Sequence, residues 1–124
     1  MEIRVLTIRE PYVSPIAAGI KHYETRAYKT NYRGEIYIHT AKTTMEVPNG
    51  GEAGTMPLGC IVLKARLTDC IYMNEEFIAE VNKDPQEALW GFYSVGRWAW
   101  KLEDVEAIDP IKCPGKLGIW KYDI

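Results

Sequence analysis

The amino-acid sequence predicts a mixed α+β fold that is mainly β: a small sheet, closed or partly closed into a barrel, with two or three short flanking helices. Three observations lead there. Five or six segments alternate apolar and polar side chains with the period of a strand. The helical segments between them are short and do not alternate regularly with strands, which speaks against a doubly wound dinucleotide-binding fold. The chain of 124 residues carries no internal repeat or low-complexity tract. It has the length of one hydrophobic core, so residues 1–124 are expected to form a single domain.

The elements follow in order. Arg4–Arg9 is the first strand, bounded by Glu10-Pro11. Ser14 is the expected N-cap of a short helix, with Pro15 in the first helical position and Gly19 as its stop. Tyr23–Tyr28 has the alternation of a half-exposed strand. Asn31–Gly34 is a turn, and Glu35–Thr40 is a strand that alternates Ile36 and Ile38 with Tyr37 and His39. Residues 42–58 form a loop rich in Gly, Pro and Asn, and loops of that length inside a domain are usually functional or mobile. Gly59–Ile71 is the longest strand, with Ile61, Leu63, Ala65 and Leu67 on one face and Lys64, Arg66 and Thr68 on the other. Asn74, followed by the acidic Glu75 and Glu76, caps a helix running to about Val81. A second short helix surrounds Pro85–Leu89. Trp98–Glu103 and Leu117–Tyr122 are the last strands.

Composition narrows the function classes. With 47% apolar residues and a net charge of −2, the chain is neither a disordered nor a highly charged solvating sequence. No run reaches the roughly 18 apolar residues that cross a bilayer. Glu2, Arg4, Arg9 and Glu10 interrupt any signal-peptide core, so a cytoplasmic location is expected, with no membrane partner. Cys60, Cys70 and Cys113 form no C-x-x-C pair, against a disulfide framework or a structural zinc site. Residues 1–50 carry seven Lys/Arg against five Asp/Glu, and residues 51–124 eight against twelve. A pI near 5.7 excludes a broad basic surface that coats duplex nucleic acid, but it leaves room for a local basic pocket. Gly54-x4-Gly59 lacks the Lys and Ser/Thr of a phosphate loop. His22 and His39 have no metal-ligand spacing, and Ser14 sits in no nucleophile elbow. No cofactor and no metal are expected.

One stretch carries chemistry. In Gly19-Ile20-Lys21-His22-Tyr23-Glu24-Thr25-Arg26, the strand period puts Glu24 and Arg26 on one side. The glycine turn can bring Lys21 to the same wall. Lys21 and Arg26 suit a phosphate, and Glu24 suits an exocyclic base amine or the orientation of Arg26. Lys21 or Glu24 can instead serve as a proton acceptor if burial moves its pKa. Spacing alone also leaves open an exposed salt-bridge ladder.

Gly19, Lys21, Glu24 and Arg26 match a G-x-K-x-x-E-x-R signature, and in this the chain resembles the ASCH domain family, a branch of the PUA-like β-barrels. Ile8-Arg9-Glu10-Pro11-Tyr12, Tyr32-Arg33-Gly34, Gly96–Trp100 and Lys116–Trp120 extend the resemblance over nearly the whole chain. It implies a barrel whose cleft binds RNA or a nucleotide-like ligand, such as a modified nucleoside. Lys21 and Arg26 would supply charge, Glu24 an acceptor, and Lys42 or Arg97 a phosphate contact from the rim. Tyr12 and Trp98 are the candidate stacking faces; Tyr23 and Trp100 are also flat, with Trp100 expected in the core.

One enzymatic branch of similar proteins hydrolyses N4-acetylcytidine with a Lys, a Thr and a Glu. Lys21 matches that Lys, but Glu24 stands at the Thr position, Thr25 faces the other way, and Lys64 and Arg66 stand where the central strand would offer an acid. The alternatives are therefore a small hydrolase of an acylated nucleoside or an RNA phosphodiester, with Lys21 and Glu24 as candidate catalytic groups, or an adaptor that binds a protein partner through the 42–58 loop. Tyr93, Lys42 and His39 are the candidate general acids for the hydrolase.

Overall fold

In the computed structural model, which describes residues 1–124, the elements run β1 (Glu2–Ile8), α1 (Ser14–Ala17), β2 (Tyr23–Arg26), β3 (Gly34–Thr40), β4 (Cys60–Tyr72), α2 (Glu75–Val81), α3 (Pro85–Leu89), β5 (Trp98–Lys112) and β6 (Ile119–Asp123). The strands make one sheet in the order β2-β5-β4-β3-β1-β6. β1 and β3 are parallel; every other neighbouring pair is antiparallel. The sheet curls into a half-barrel, the partly closed form of the expected barrel. The curl brings β2, at one edge, back to β1 near the other, where Arg26 Nη2 donates to the Thr7 carbonyl at 2.9 Å. No helix is long and apolar enough to cross a membrane.

Bulges explain both the curl and the errors of simple alternation, because each extra residue sharpens the local twist. Ile38 faces Leu63 while His39 faces Ile61, so Val62 is an extra residue on β4. Ile61 therefore turns away from Leu63 and joins Ile3, Val5, Tyr37 and Trp120 in a smaller cluster. Val62, Leu63, Ala65 and Leu67 pack with Leu6, Ile36, Ile38 and Trp100 in the main core. The expectation that Ile61 shares the Leu63 face is corrected here.

The strand expected to stop at Glu103 continues to Lys112. Its apolar residues Val105, Ile108 and Ile111 recur every third position, a spacing that signals neither strand nor helix. The register gives the reason. Asp104, at φ +54°, is an extra residue between Glu103 and Glu106, and two more are inserted between Ala107 and Ile111 around Pro110. Each insertion resets which side faces inward, so Val105 meets the main core while Ile108 and Ile111 meet the smaller cluster.

Ser14 is not the N-cap of α1. It occupies the first helical position, and the preceding Val13 offers no side-chain cap. The capping carboxylate comes from Glu10, which is 2% exposed. Its two oxygens accept from Val13 N, Ser14 N, Ser14 Oγ and Met56 N. Glu10 thereby also fastens the 42–58 loop, whose Met45 N donates to the Glu10 carbonyl at 2.8 Å. Gly19 ends the helix as expected, with φ +77°. Asn74 caps α2 as expected by accepting from Phe77 N, and Asp84 caps α3 in the same way.

Glu10→Ala strands buried donors in both the helix and the loop. It is expected to lower stability in a urea melt by roughly 2–4 kcal/mol and to speed amide exchange at Met56.

Candidate functional site

A cleft of about 980 Å³ opens where the parallel strands β1 and β3 end, walled by β2 and by the loops that hold Lys42, Phe92 and Lys116. Its inner wall is built by the end of α1 and by β2. Past Gly19 the backbone turns so that Ile20 N and Lys21 N both donate to the Pro15 carbonyl. Lys21 is 2% exposed. Its Nζ donates to the Trp90 carbonyl at 2.6 Å and lies 3.8 Å from Glu24 Oε1. Burial pushes the Lys21 ammonium below its ordinary pKa, against the opposing pull of the Glu24 and Glu87 carboxylates.

Alternation along β2 puts Glu24 and Arg26 on one side. Glu24 Oε2 accepts from Arg26 Nε at 3.0 Å and lies 3.0 Å from Nη2. Lys21, Glu24 and Arg26 therefore converge on one hollow, and the exposed ladder is not formed. Glu24 is the orienting acceptor for Arg26, whose guanidinium also lies 5.7 Å from the Trp100 ring centroid.

The remaining predicted residues divide. Tyr12 lines the cleft, edge-on to Trp90 at 6.0 Å, with Lys21 Nζ 5.8 Å from its ring centroid. Lys42 and Arg97 also line it. Arg97 Nε donates to the Phe92 carbonyl at 3.0 Å, and its guanidinium stands 4.5 Å over the Phe92 ring. Trp98 lies outside the cleft. The period of 2 puts it on the face of the buried Trp100, so it packs at the core margin against Tyr72 at 5.3 Å. Tyr23 packs on Phe77 away from the cleft. Trp100 is core, as expected.

Sequence reasoning missed Arg9, Phe92, Lys116 and Thr7 as cleft residues, although Arg9 and Lys116 fall inside two of the motif segments noted above. Among its lining residues the cleft has six Lys/Arg (Arg9, Lys21, Arg26, Lys42, Arg97 and Lys116) against the single carboxylate of Glu24. Arg9, Lys42 and Lys116 enter no ion pair.

The hydrolytic groups can also be placed. β4 contributes no carboxylate to the cleft; its Lys64 pairs with Glu35 at 3.3 Å on the surface. Thr25 Oγ1 accepts from Phe92 N at 3.0 Å, so it anchors the loop. Tyr93 donates to Glu87 outside the cleft, and burial raises its pKa. Glu87 also accepts from His22 N at 3.0 Å and lies 2.7 Å from His22 Nδ1. Of the three candidate general acids, Lys42 and His39 line the cleft.

The lowered Lys21 pKa carries a sign. Unfolded, the ammonium holds its proton up to about 10.5; folded, it releases it earlier. Between those two points the unfolded chain binds more protons, so this group makes stability rise with pH. The difference between wild-type and Lys21→Met unfolding free energies, measured from pH 7 to 10.5, is expected to grow in favour of the wild type. A flat difference would show an unshifted lysine.

No curated protein matches the chain. The family model that matches it is the ASCH domain, over residues 6–112, nearly the whole length described above. With that match, and with the signature residues converging on a cleft of a curled mainly β sheet, the chain belongs to the ASCH domain family, a PUA-like family often linked to RNA binding.

Proposed function

We propose that the cleft binds single-stranded RNA or a modified nucleoside, with the phosphate held by cations and the base against an aromatic face. The observation that carries this reading is the charge: six Lys/Arg against one carboxylate in one cleft, within a chain of net charge −2. A cleft lined by one sign concentrates the field there, so an anionic ligand is drawn to this spot on an otherwise acidic protein.

The cations have two tasks. Lys21 and Arg26 are already engaged with the Trp90 and Thr7 carbonyls and with Glu24, so they form a fixed positive floor. Arg9, Lys42 and Lys116 are unpaired at the rim and free to meet phosphate oxygens. Phe92, 65% exposed and braced by Arg97, takes the stacking role first given to Trp98, beside Tyr12. A base stacked there contributes about 1–3 kcal/mol without sequence preference. Duplexes are expected to bind poorly, because a cleft of this kind takes a splayed base better than a paired one.

Fluorescence anisotropy with a labelled single-stranded oligoribonucleotide tests the reading. Lys21→Ala and Phe92→Ala are each expected to weaken binding by roughly 1–3 kcal/mol. Lys42→Ala combined with Lys116→Ala is expected to flatten the dependence of affinity on salt by about two phosphate contacts. Unchanged affinity in all three variants would place the ligand elsewhere.

A further inference from the structure

Leu117 has no part in that reading, yet it lines the cleft and is 98% exposed. A single exposed leucine is ordinary on a protein surface. This one shares the cleft with Met45 and Phe92, exposed apolar side chains from two other loops, and with the unpaired cations Lys42 and Lys116. Apolar side chains gathered at one opening and rimmed by charge mark a surface that a ligand covers.

The chain around Leu117 is held at its ends and not between them. On the near side Cys113 N donates to the Gly59 carbonyl at 3.1 Å, and the Cys113 carbonyl lies 2.8 Å from His39 Nε2. Gly115 then packs closely over His39 and Thr7, where a Cβ would stand 2.8 Å from His39 Cε1 and 3.0 Å from Thr7 Oγ1. On the far side Ile119 enters β6 as the register partner of Leu6. Lys116, Leu117 and Gly118 enter none of the backbone hydrogen bonds made outside the helices and strands. Space around them is open: no atom lies within 4 Å of the position that a Cβ on Gly118 would take. Residues 116–118 are thus a short strap, pinned on both sides, with an unburied leucine and a cation at the rim of the cleft.

We propose that Leu117 is a ligand-binding residue: the strap closes on the cleft and lays Leu117 against one face of an unpaired base whose other face stacks on Phe92. This rests on the cleft reading above and narrows it, because the ligand must present a base with both faces free. Leucine offers that face apolar contact and no hydrogen bond, so the clamp selects an unstacked base without selecting its identity. Removal of the leucine side chain from water favours closure and offsets the ordering of the strap. The same movement brings Lys116 toward the phosphate attached to the clamped nucleotide.

The test measures anisotropy of a labelled oligouridine, and of an abasic oligomer of the same length, on the full chain and on Leu117→Ser. Leu117 is almost wholly in water, so the variant keeps the fold, as circular dichroism checks. Leu117→Ser is expected to weaken oligouridine binding roughly fivefold or more and to leave binding of the abasic oligomer unchanged. Trypsin reads the strap directly, since it cuts after Lys116. Saturating oligouridine is expected to slow that cut roughly tenfold or more, and the abasic oligomer to slow it less. Cleavage after Lys83, exposed and outside the cleft, serves as the internal control. Unchanged oligouridine affinity in Leu117→Ser, equal weakening toward both oligomers, or unslowed cleavage after Lys116 in the oligouridine complex overturns the clamp and leaves the RNA reading standing. Failure of the wild type to bind either oligomer removes the single-stranded RNA reading and the clamp with it.

Discussion

Opposite charges can stay in a protein interior only if they find each other and their remaining hydrogen-bonding capacity is met. Lys21, Glu24 and Arg26 satisfy that condition by reaching across the fold. Lys21 takes the Trp90 carbonyl, Arg26 takes the Thr7 carbonyl, and Glu24 lies between the two cations. These bonds tie the end of α1, the edge strand β2, the strand β1 and the turn after α3. The same cluster forms the inner wall of the cleft. A neutral replacement of Glu24 leaves Lys21 and Arg26 without the carboxylate they share, whereas loss of either cation leaves Glu24 paired with the other.

The legible part of the fold was whatever rests on local rules. Gly19 at the end of α1, Asn74 at the start of α2 and the alternation of β2 each follow from a few neighbouring residues. What escaped depends on distant partners. Glu10 caps α1 from four residues before it and also holds Met56, and no short-range pattern marks a carboxylate for both tasks. The second half of β5 was hidden because bulges at Asp104 and Pro110 break its period.

The site shows the same division. Lys21, Glu24 and Arg26 sit within six residues and share a wall by turn and strand geometry, so they were visible in the sequence. Thr7 and His39 are far apart in the chain and meet only because β1 and β3 lie side by side. Trp98 misled because its aromatic identity suggested stacking, whereas its shared face with Trp100 draws it toward the core. Net charge was equally uninformative about location. The acidic residues of α2 and of β5 offset cations that the fold gathers in one place.

The Glu10 carboxylate has a consequence beyond the helix it starts. With its own carbonyl it holds the loop at Met45 and again at Met56, so the chain between those points is fastened at both ends. Lys42 and Met45 keep their places at the rim whatever lies further along. The stretch 46–50, exposed except for the half-buried Pro48, is therefore a cassette, where length and composition can drift or be swapped to alter what approaches the opening without loosening the frame around it.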